Sequence, residues 1–214
     1  MSSQTLGDHP QFDMRIIERV TEAEMIATFL RAEIRSSRFG KDILRILKRD
    51  RASRKVIDNP NVRDAAENEY RAALLGEFRG FGRNEEIFMD FPNDVEWHRT
   101  LLSRSDLLKI RYMNYSYWID LSGGSRLVAD AAKRVAAGEI EKATADWIRA
   151  AADAVKRGAS FPEPILVSRN RQSDLIVLEG HLRMTAYLLS LDYLPAEMPM
   201  IVGYSEGIKR WDES

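Results

Sequence analysis

Two short, fully apolar segments in the last quarter of the chain limit the folds that this sequence can adopt. They occupy residues 165–167 and 175–178, and the polar turn RQSD lies between them. Strands that are apolar on both faces must be covered on both faces, as the central strands of a sheet are. A helical segment (181–191) and a third strand-like segment (198–204) follow. This order predicts a small mixed sheet with at least one helical crossover.

The capping residues and the apolar spacing within the first 80 residues predict helices. Thr21 and Glu24 form a T-x-x-E capping box ahead of an amphipathic helix. A second amphipathic helix follows, and its predicted apolar side consists of Ile43, Leu44, Ile46 and Leu47. A third helix is predicted to end near Gly80. We therefore expect an all-helical region here, after an irregular polar lead-in over residues 1–15.

The remaining segments complete the predicted fold. Residues 96–102 are strand-like, and two alanine-rich helices are predicted to end at Gly138 and Gly158. The predicted fold class is α+β, with a small mixed β-sheet, its helices and an N-terminal helical region. We divide the chain into a helical region, residues 1–90, and an α+β domain, residues 91–214.

Composition excludes several classes of site. The chain has no cysteine, which rules out disulfides, thiolate nucleophiles, cysteine-held zinc and iron–sulfur clusters. Its 3 histidines are scattered, so a histidine-rich metal site is not expected. The formal net charge of −1 does not fit a strongly basic nucleic-acid binder. Because no signal peptide and no run of about 18 apolar residues is visible, we expect a cytoplasmic protein without a membrane partner.

The junction between the second apolar strand and its helix reads Glu179, Gly180, His181, Leu182, Arg183. The first amides of a helix have no intrahelical acceptor and lie at the positive end of the helix dipole. Gly180 would let an anion approach the backbone, and Arg183 and His181 could add donors. Glu179 could orient a hydroxyl, hold Mg²⁺ or act as a base. The alternative is an ordinary strand-to-helix connection with a solvated arginine.

These segments resemble the core of the ParB/sulfiredoxin-like superfamily. Residues 164–167 (PILV) are similar to the family's P-I-x-V strand, and residues 180–183 (GHLR) to its G-[EH]-[RH]-R turn. Ala186 is at the family's small helix position, and residues 198–202 (MPMIV) are similar to the strand that follows. The resemblance covers residues 95–205 and leaves the helical first 90 residues outside it.

The resemblance implies that the turn binds nucleotide phosphates, as it does for CTP in chromosome-partitioning proteins and for ATP or ADP in sulfiredoxins and related serine kinases. Gly180, His181 and Arg183 would contact the phosphates of a nucleoside di- or triphosphate bound with Mg²⁺. Leu182 stands where the family usually has a basic or polar residue. Sulfiredoxin chemistry needs a cysteine and is excluded. DNA clamping is not expected either, since the family's Asn-Arg pair and helix-turn-helix are not visible.

The residues leave open whether the protein is an enzyme. If it is, phosphoryl transfer or phosphodiester hydrolysis is the expected class, with Glu179 as the base or a metal ligand and His181 or Arg183 stabilising charge. Another interpretation is a scaffold protein in which the turn has lost its ligand, as Leu182 indicates.

A second glycine-bearing turn precedes a helix at residues 122–126. It could present amides and a cation to an anion through Gly123, Gly124, Ser125 and Arg126. It has neither the Walker A lysine nor the dinucleotide-binding spacing. The alternative, which we favour, is a capped Gly-Gly turn. If this turn and the 179–183 turn converge, they frame one pocket in which a base could stack on Tyr115, Tyr117 or Trp118.

A run of basic residues between 35 and 55 is the best sequence indication of a polyanion partner. A DNA- or RNA-binding module could use these side chains, which we call the basic stripe: Arg35, Arg38, Lys41, Arg45, Lys48, Arg49 and Arg51. The alternative is a solvated helix face that acidic residues elsewhere offset. Phe39 is the one aromatic residue within the run, which gives little support to stacking on single strands.

Overall fold

The computed structural model describes residues 12–213 and confirms an α+β fold. Six strands form one sheet: β1 (Met14–Val20), β2 (Glu96–Ser103), β3 (Arg111–Tyr112), β4 (Ile165–Ser168), β5 (Ile176–Glu179) and β6 (Glu197–Tyr204). The helices of the first half are α1 (Glu22–Glu33), α2 (Gly40–Arg49), α3 (Lys55–Asp58), α4 (Ala65–Arg79) and α5 (Arg104–Leu107). Those of the second half are α6 (Ser116–Leu121), α7 (Val128–Ala137), α8 (Lys142–Lys156), α9 (His181–Leu189) and α10 (Ile208–Glu213).

The sheet is mixed, with the strand order β1-β2-β6-β4-β5-β3. The pairs β1–β2, β2–β6 and β4–β5 are antiparallel, whereas β4–β6 and β3–β5 are parallel. The chain leaves β5, passes through α9 and returns as β6 beside β4. The predicted order of strand, hairpin, strand, helix and strand, with one helical crossover, is therefore confirmed.

Helices cover both faces of the sheet, as the doubly apolar strands require. Alternate residues of β4 point to opposite faces, so Ile165 packs in one hydrophobic cluster and Leu166 in the other. The first cluster joins the sheet to the N-terminal helices through residues such as Phe29 and Leu75. The second contains residues of α7 and α9, and α9 packs directly on α7 and α8. The sheet thus lies between two helical layers.

The prediction of an all-helical first 80 residues is wrong at β1. This strand pairs with β2 from Met14↔Leu102 to Val20↔Trp97 and forms an edge of the sheet. Val20 is its one buried residue, so β1 carries no continuous apolar pattern that sequence reasoning could detect. The predicted polar lead-in lies outside the described residues over positions 1–11.

The N-terminal helices begin and end largely as predicted. The Thr21–Glu24 capping box is present, and α4 ends at Gly80, which has a φ of 84°. The prediction that Leu44 lies on the apolar side of α2 is wrong, because its side chain is 42% exposed while Ile43 is fully buried. Within residues 12–213, no helix is long and apolar enough to cross a membrane.

We predict that Gly203→Ala destabilises the protein by about 1–3 kcal/mol through overpacking. A Cβ at Gly203 in β6 would lie 2.5 Å from Val95 Cγ1 and 2.6 Å from Trp97 Cζ3, and the Trp97 ring is buried. Urea unfolding measures the loss. Glu197→Ala on the same strand is the control, since it removes only an exposed ion pair with Arg15, worth about 0–1 kcal/mol. Equal stability of Gly203→Ala and wild type would contradict this packing.

Candidate functional site

A cavity of about 550 Å³ lies against the β5–α9 turn. Its other walls come from the α1–α2 connection, from the first turn of α8 and from the loop that precedes β4. The cavity brings together the predicted residues Glu179, Gly180, His181 and Arg183 with groups from distant parts of the chain. We treat it as the candidate site.

The N-terminus of α9 opens into this cavity without a side-chain cap. Gly180 is the N-cap residue and adopts a left-handed conformation with a φ of 95°, which favours glycine. The carbonyl of Gly180 accepts a hydrogen bond from the Met184 amide at 2.8 Å. The amides of residues 181–183 have no acceptor among the described residues. They are therefore available to an anion.

Arg183 supports the turn from inside. Its guanidinium donates to the Glu179 carboxylate and to the Pro162 carbonyl, and Glu179 and Arg183 are only 6% and 8% exposed. A Cβ at Gly180 would lie 3.0 Å from Arg183 Nη2. Burial raises the pKa of Glu179, and the Arg183 charge opposes that rise. Arg183 lines the cavity but already has two protein partners.

His181 is held neutral in an aromatic stack. Its ring lies 4.4 Å from the ring of Trp118 and 6.0 Å from that of Tyr112, with near-parallel planes. Burial and then the charges of Arg79 and Arg183 lower the pKa of His181 to about 3, although a hydrogen bond to the Val177 carbonyl opposes the shift. Nε2 is buried and has no hydrogen-bond partner. At neutral pH the ring is uncharged, and its Nε2 is a hydrogen-bond acceptor.

Glu33, at the end of α1, is a site residue that sequence reasoning missed. It lines the cavity and is 8% exposed, yet its carboxyl has no hydrogen bond or ion pair among the described residues. Burial first, and then the charge of Glu179, raise the pKa of Glu33 to about 8, against the opposing effect of nearby arginines. One signal was available: Glu33 lies seven residues after buried Ile26, on the apolar side of the helix.

Cations and aromatic rings border the cavity. Arg35 and Arg38 are exposed and line it, and Arg38 stacks on Phe39 with its Cζ 4.7 Å from the ring centre. Trp118 and Trp147 line it as well, and the Trp147 side chain is 41% exposed. The combination offers positive charge and flat apolar surface to the same ligand.

The 122–126 turn does not line this cavity. The Arg126 guanidinium donates to the Tyr112 carbonyl and to Asp212, so its charge is used within the fold. A Cβ added at Gly124 would meet no atom within 4 Å, whereas Gly123 lies against Arg134. Ser125 accepts a hydrogen bond from the Leu127 amide ahead of α7. The structure therefore does not bring Gly123, Gly124, Ser125 and Arg126 to the 179–183 turn.

The three aromatic residues that were predicted to stack on a base differ in whether they line the cavity. Trp118 lines the cavity, whereas Tyr115 and Tyr117 do not. Tyr117 packs edge-on against Trp118, and its hydroxyl lies 3.1 Å from Thr144 Oγ1. Tyr115 is 53% exposed. Only Trp118 of the three can contact a ligand in the cavity.

The donor set of the cavity does not fit a protein-held Mg²⁺. Among residues 12–213, no group of three or more histidine, aspartate or glutamate side chains is placed to hold a metal ion. The cavity has the two carboxyls Glu33 and Glu179, and the second is paired with Arg183. Since Mg²⁺ in phosphate sites is usually bound by one or two carboxylates together with the substrate phosphates, Mg²⁺ bound with a nucleotide stays a prediction.

We predict that Glu33→Gln alters stability in a pH-dependent way. Between its ordinary pKa of 4.5 and about 8, Glu33 binds a proton only in the folded state, so its stabilising contribution falls as the pH rises through that window. At pH 9 the buried carboxylate is unpartnered, and the amide should be more stable by about 1–3 kcal/mol. At pH 5 the difference should be small.

Urea unfolding of both proteins at pH 5 and pH 9 measures this difference. Glu69→Gln, an exposed residue of α4, is the matched control and should show no pH-dependent change. The same stability difference at both pH values would contradict the raised pKa of Glu33.

Comparison with protein-family models, with curated proteins and with solved structures finds no match to this chain. The resemblance to the ParB/sulfiredoxin-like superfamily therefore stays a prediction from residues 164–167, 180–183 and 198–202. The geometry of the cavity provides the basis for a functional proposal.

Proposed function

We propose that the cavity binds a nucleotide, with its phosphates at the N-terminus of α9. One observation carries the proposal: the uncapped amides of residues 181–183 open into a cavity that also has exposed cations and aromatic rings. Anions are stabilised at such helix ends by N–H groups and by the helix dipole. The resemblance of residues 180–183 to a nucleotide-binding turn supports the same ligand class.

The cations divide into two groups in this proposal. Arg183 holds the turn in shape through Glu179 and Pro162, and Gly180 leaves the backbone open to the phosphate. Arg35 and Arg38 have no carboxylate partner among the described residues and can pair with phosphate oxygens. The base would lie against Trp118 or Trp147, whose rings provide stacking surface. A cytoplasmic location, as predicted, would give the cavity access to free nucleotides.

The contacts favour binding over catalysis. Glu179 is buried and paired with Arg183, so it could act as a base only after losing that partner. The neutral His181 has an unpartnered Nε2 and could orient a ligand hydroxyl or water. We therefore propose nucleotide binding as the function, and phosphoryl transfer or phosphodiester hydrolysis only as a further activity of the same turn.

We predict that a nucleotide raises the unfolding temperature and that Arg38→Gln weakens the effect. A ligand at 100-fold excess over its Kd adds about 2.7 kcal/mol of stability. Losing one charge-assisted contact should lower the affinity about tenfold. Thermal unfolding with CTP, ATP, ADP and GTP, each with and without Mg²⁺, provides the measurement.

Arg45→Gln is the matched control for this experiment. Arg45 is an exposed arginine of α2 that pairs with Asp42 and does not line the cavity. Both variants remove one surface charge, but only Arg38 lines the cavity. Only Arg38→Gln should therefore change the affinity. Absence of a shift with every nucleotide would refute the proposal and favour a scaffold protein that has lost its ligand.

A second candidate function is nucleic-acid binding through the basic stripe. Arg45 and Arg49 of the stripe have carboxylate partners, Asp42 for the first and Asp50 and Glu77 for the second. The cations of the stripe without a carboxylate partner among the described residues are Arg35, Arg38, Lys41, Lys48 and Arg51. Their charges can contact the phosphates of a nucleic acid.

If this second function holds, Lys41→Gln with Lys48→Gln should reduce the salt dependence of DNA or RNA binding. Each phosphate contact contributes about −0.9 to the slope of log K against log salt for duplex DNA. The double variant should therefore lose about 1.8 from that slope, whereas Gly180→Ala should leave it unchanged. Filter binding or fluorescence anisotropy over a salt series measures the slope, and unchanged slopes would exclude the stripe as the contact surface.

A further inference from the structure

Glu33 is a buried acid without a partner among the described residues, on the wall of the cavity. Its carboxyl comes from the last residue of α1, and the 179–183 turn lines the same cavity. The side chain is 8% exposed and makes no hydrogen bond or ion pair with any described residue. Since buried polar groups are almost always hydrogen-bonded, a carboxyl that lines a cavity without a protein partner is available to a ligand group.

Charged groups from several elements surround Glu33. The elements are β5, α4, α9 and the α1–α2 connection, and the groups are Glu179, Arg79, Arg183 and Arg38. His181 lines the same cavity. Arg183 is neutralised by Glu179, and His181 is uncharged. Arg38 and Arg79 remain positive. These groups are net positive in both states of Glu33, and they attract an anion more strongly when Glu33 is uncharged.

We propose that Glu33, as the uncharged acid, donates a hydrogen bond to the anionic group of the ligand, so that the ligand binds the protonated form of the protein. This inference rests on the proposed nucleotide function. The carboxylate form of Glu33 has no proton to donate and repels a phosphate. The acid form donates a hydrogen bond to the phosphate, so that Glu33 and the phosphate each gain a partner. The proton comes from solvent, and no covalent step is involved.

Two physical effects favour the acid form. Burial disfavours the charged carboxyl, and the neighbouring negative charge of Glu179 acts in the same direction, which together raise the pKa of Glu33 to about 8 despite the arginines. A bound phosphate adds negative charge and raises that pKa further. Binding and protonation therefore reinforce each other, as linked equilibria must.

The measurable consequence is a loss of affinity at alkaline pH. Above a pH of about 8, each further pH unit should lower the affinity of the wild type up to about tenfold, because binding must take up one proton. Phosphate groups have a second pKa of about 6, so the ligand's own charge is constant in this range. Glu33→Gln keeps an N–H donor and cannot ionise, so its affinity should stay nearly flat.

The test is calorimetric titration with ATP and with CTP at pH 7, 8, 9 and 9.5 and at constant ionic strength. The proteins are the wild type, Glu33→Gln and the control Glu69→Gln. Titration at pH 9 in two buffers of different ionisation enthalpy counts the protons taken up. We expect close to one proton for the wild type and for Glu69→Gln, and none for Glu33→Gln.

The possible results separate this inference from the proposed function. Binding with the same pH profile in wild type and Glu33→Gln overturns the role of Glu33 and leaves nucleotide binding intact. Absence of binding by the wild type to both nucleotides at every pH overturns both proposals. Circular dichroism of each variant at each pH confirms that the compared proteins are folded.

Discussion

The buried ion pair between Glu179 and Arg183 is the interaction on which the site depends. It joins the last residue of β5 to the first turn of α9, and the Arg183 bond to the Pro162 carbonyl adds the loop before β4. Two charges in a dry environment are costly unless they are paired and hydrogen-bonded, so each fixes the position of the other. Gly180, in a left-handed conformation, lies between them at the N-terminus of α9.

The charged groups near the cavity divide into those that support it and those that face a ligand. Glu179 and Arg183 form an ion pair, and Arg126 donates to the Tyr112 carbonyl and forms an ion pair with Asp212. The His181 Nε2 is buried without a hydrogen-bond partner, and the Glu33 carboxyl lines the cavity without a hydrogen bond or ion pair to any described residue. An unsatisfied buried group costs free energy that a bound partner can restore. Arg183, the most basic residue of the turn, is therefore not its best candidate for binding a phosphate, because its guanidinium already has protein partners.

Much of the fold and part of the site could be predicted from the sequence. Capping at Thr21, the left-handed stop at Gly80 and the doubly apolar strand 165–167 are local signals, and each is confirmed. Edge strand β1 was missed because only Val20 is buried there. Glu33 was missed because its place in the site depends on a turn about 150 residues away in the chain, and the periodicity of α1 carries no information about that contact. The partners of Arg126 and Arg183 likewise depend on tertiary contacts.

The order of strands has a consequence for how the chain folds. β6 is a central strand, with β2 on one side and β4 on the other, yet it is the last of the six strands to be synthesised. Val20 pairs with Trp97, and Trp97 pairs with Gly203 in β6. The two halves of the sheet can therefore join only after β6 has been synthesised. Such non-local pairing slows folding and leaves the β2 edge without a neighbour on the nascent chain. Helices α1 to α4 can form early, whereas the sheet on which they pack is completed only when β6 joins its two halves.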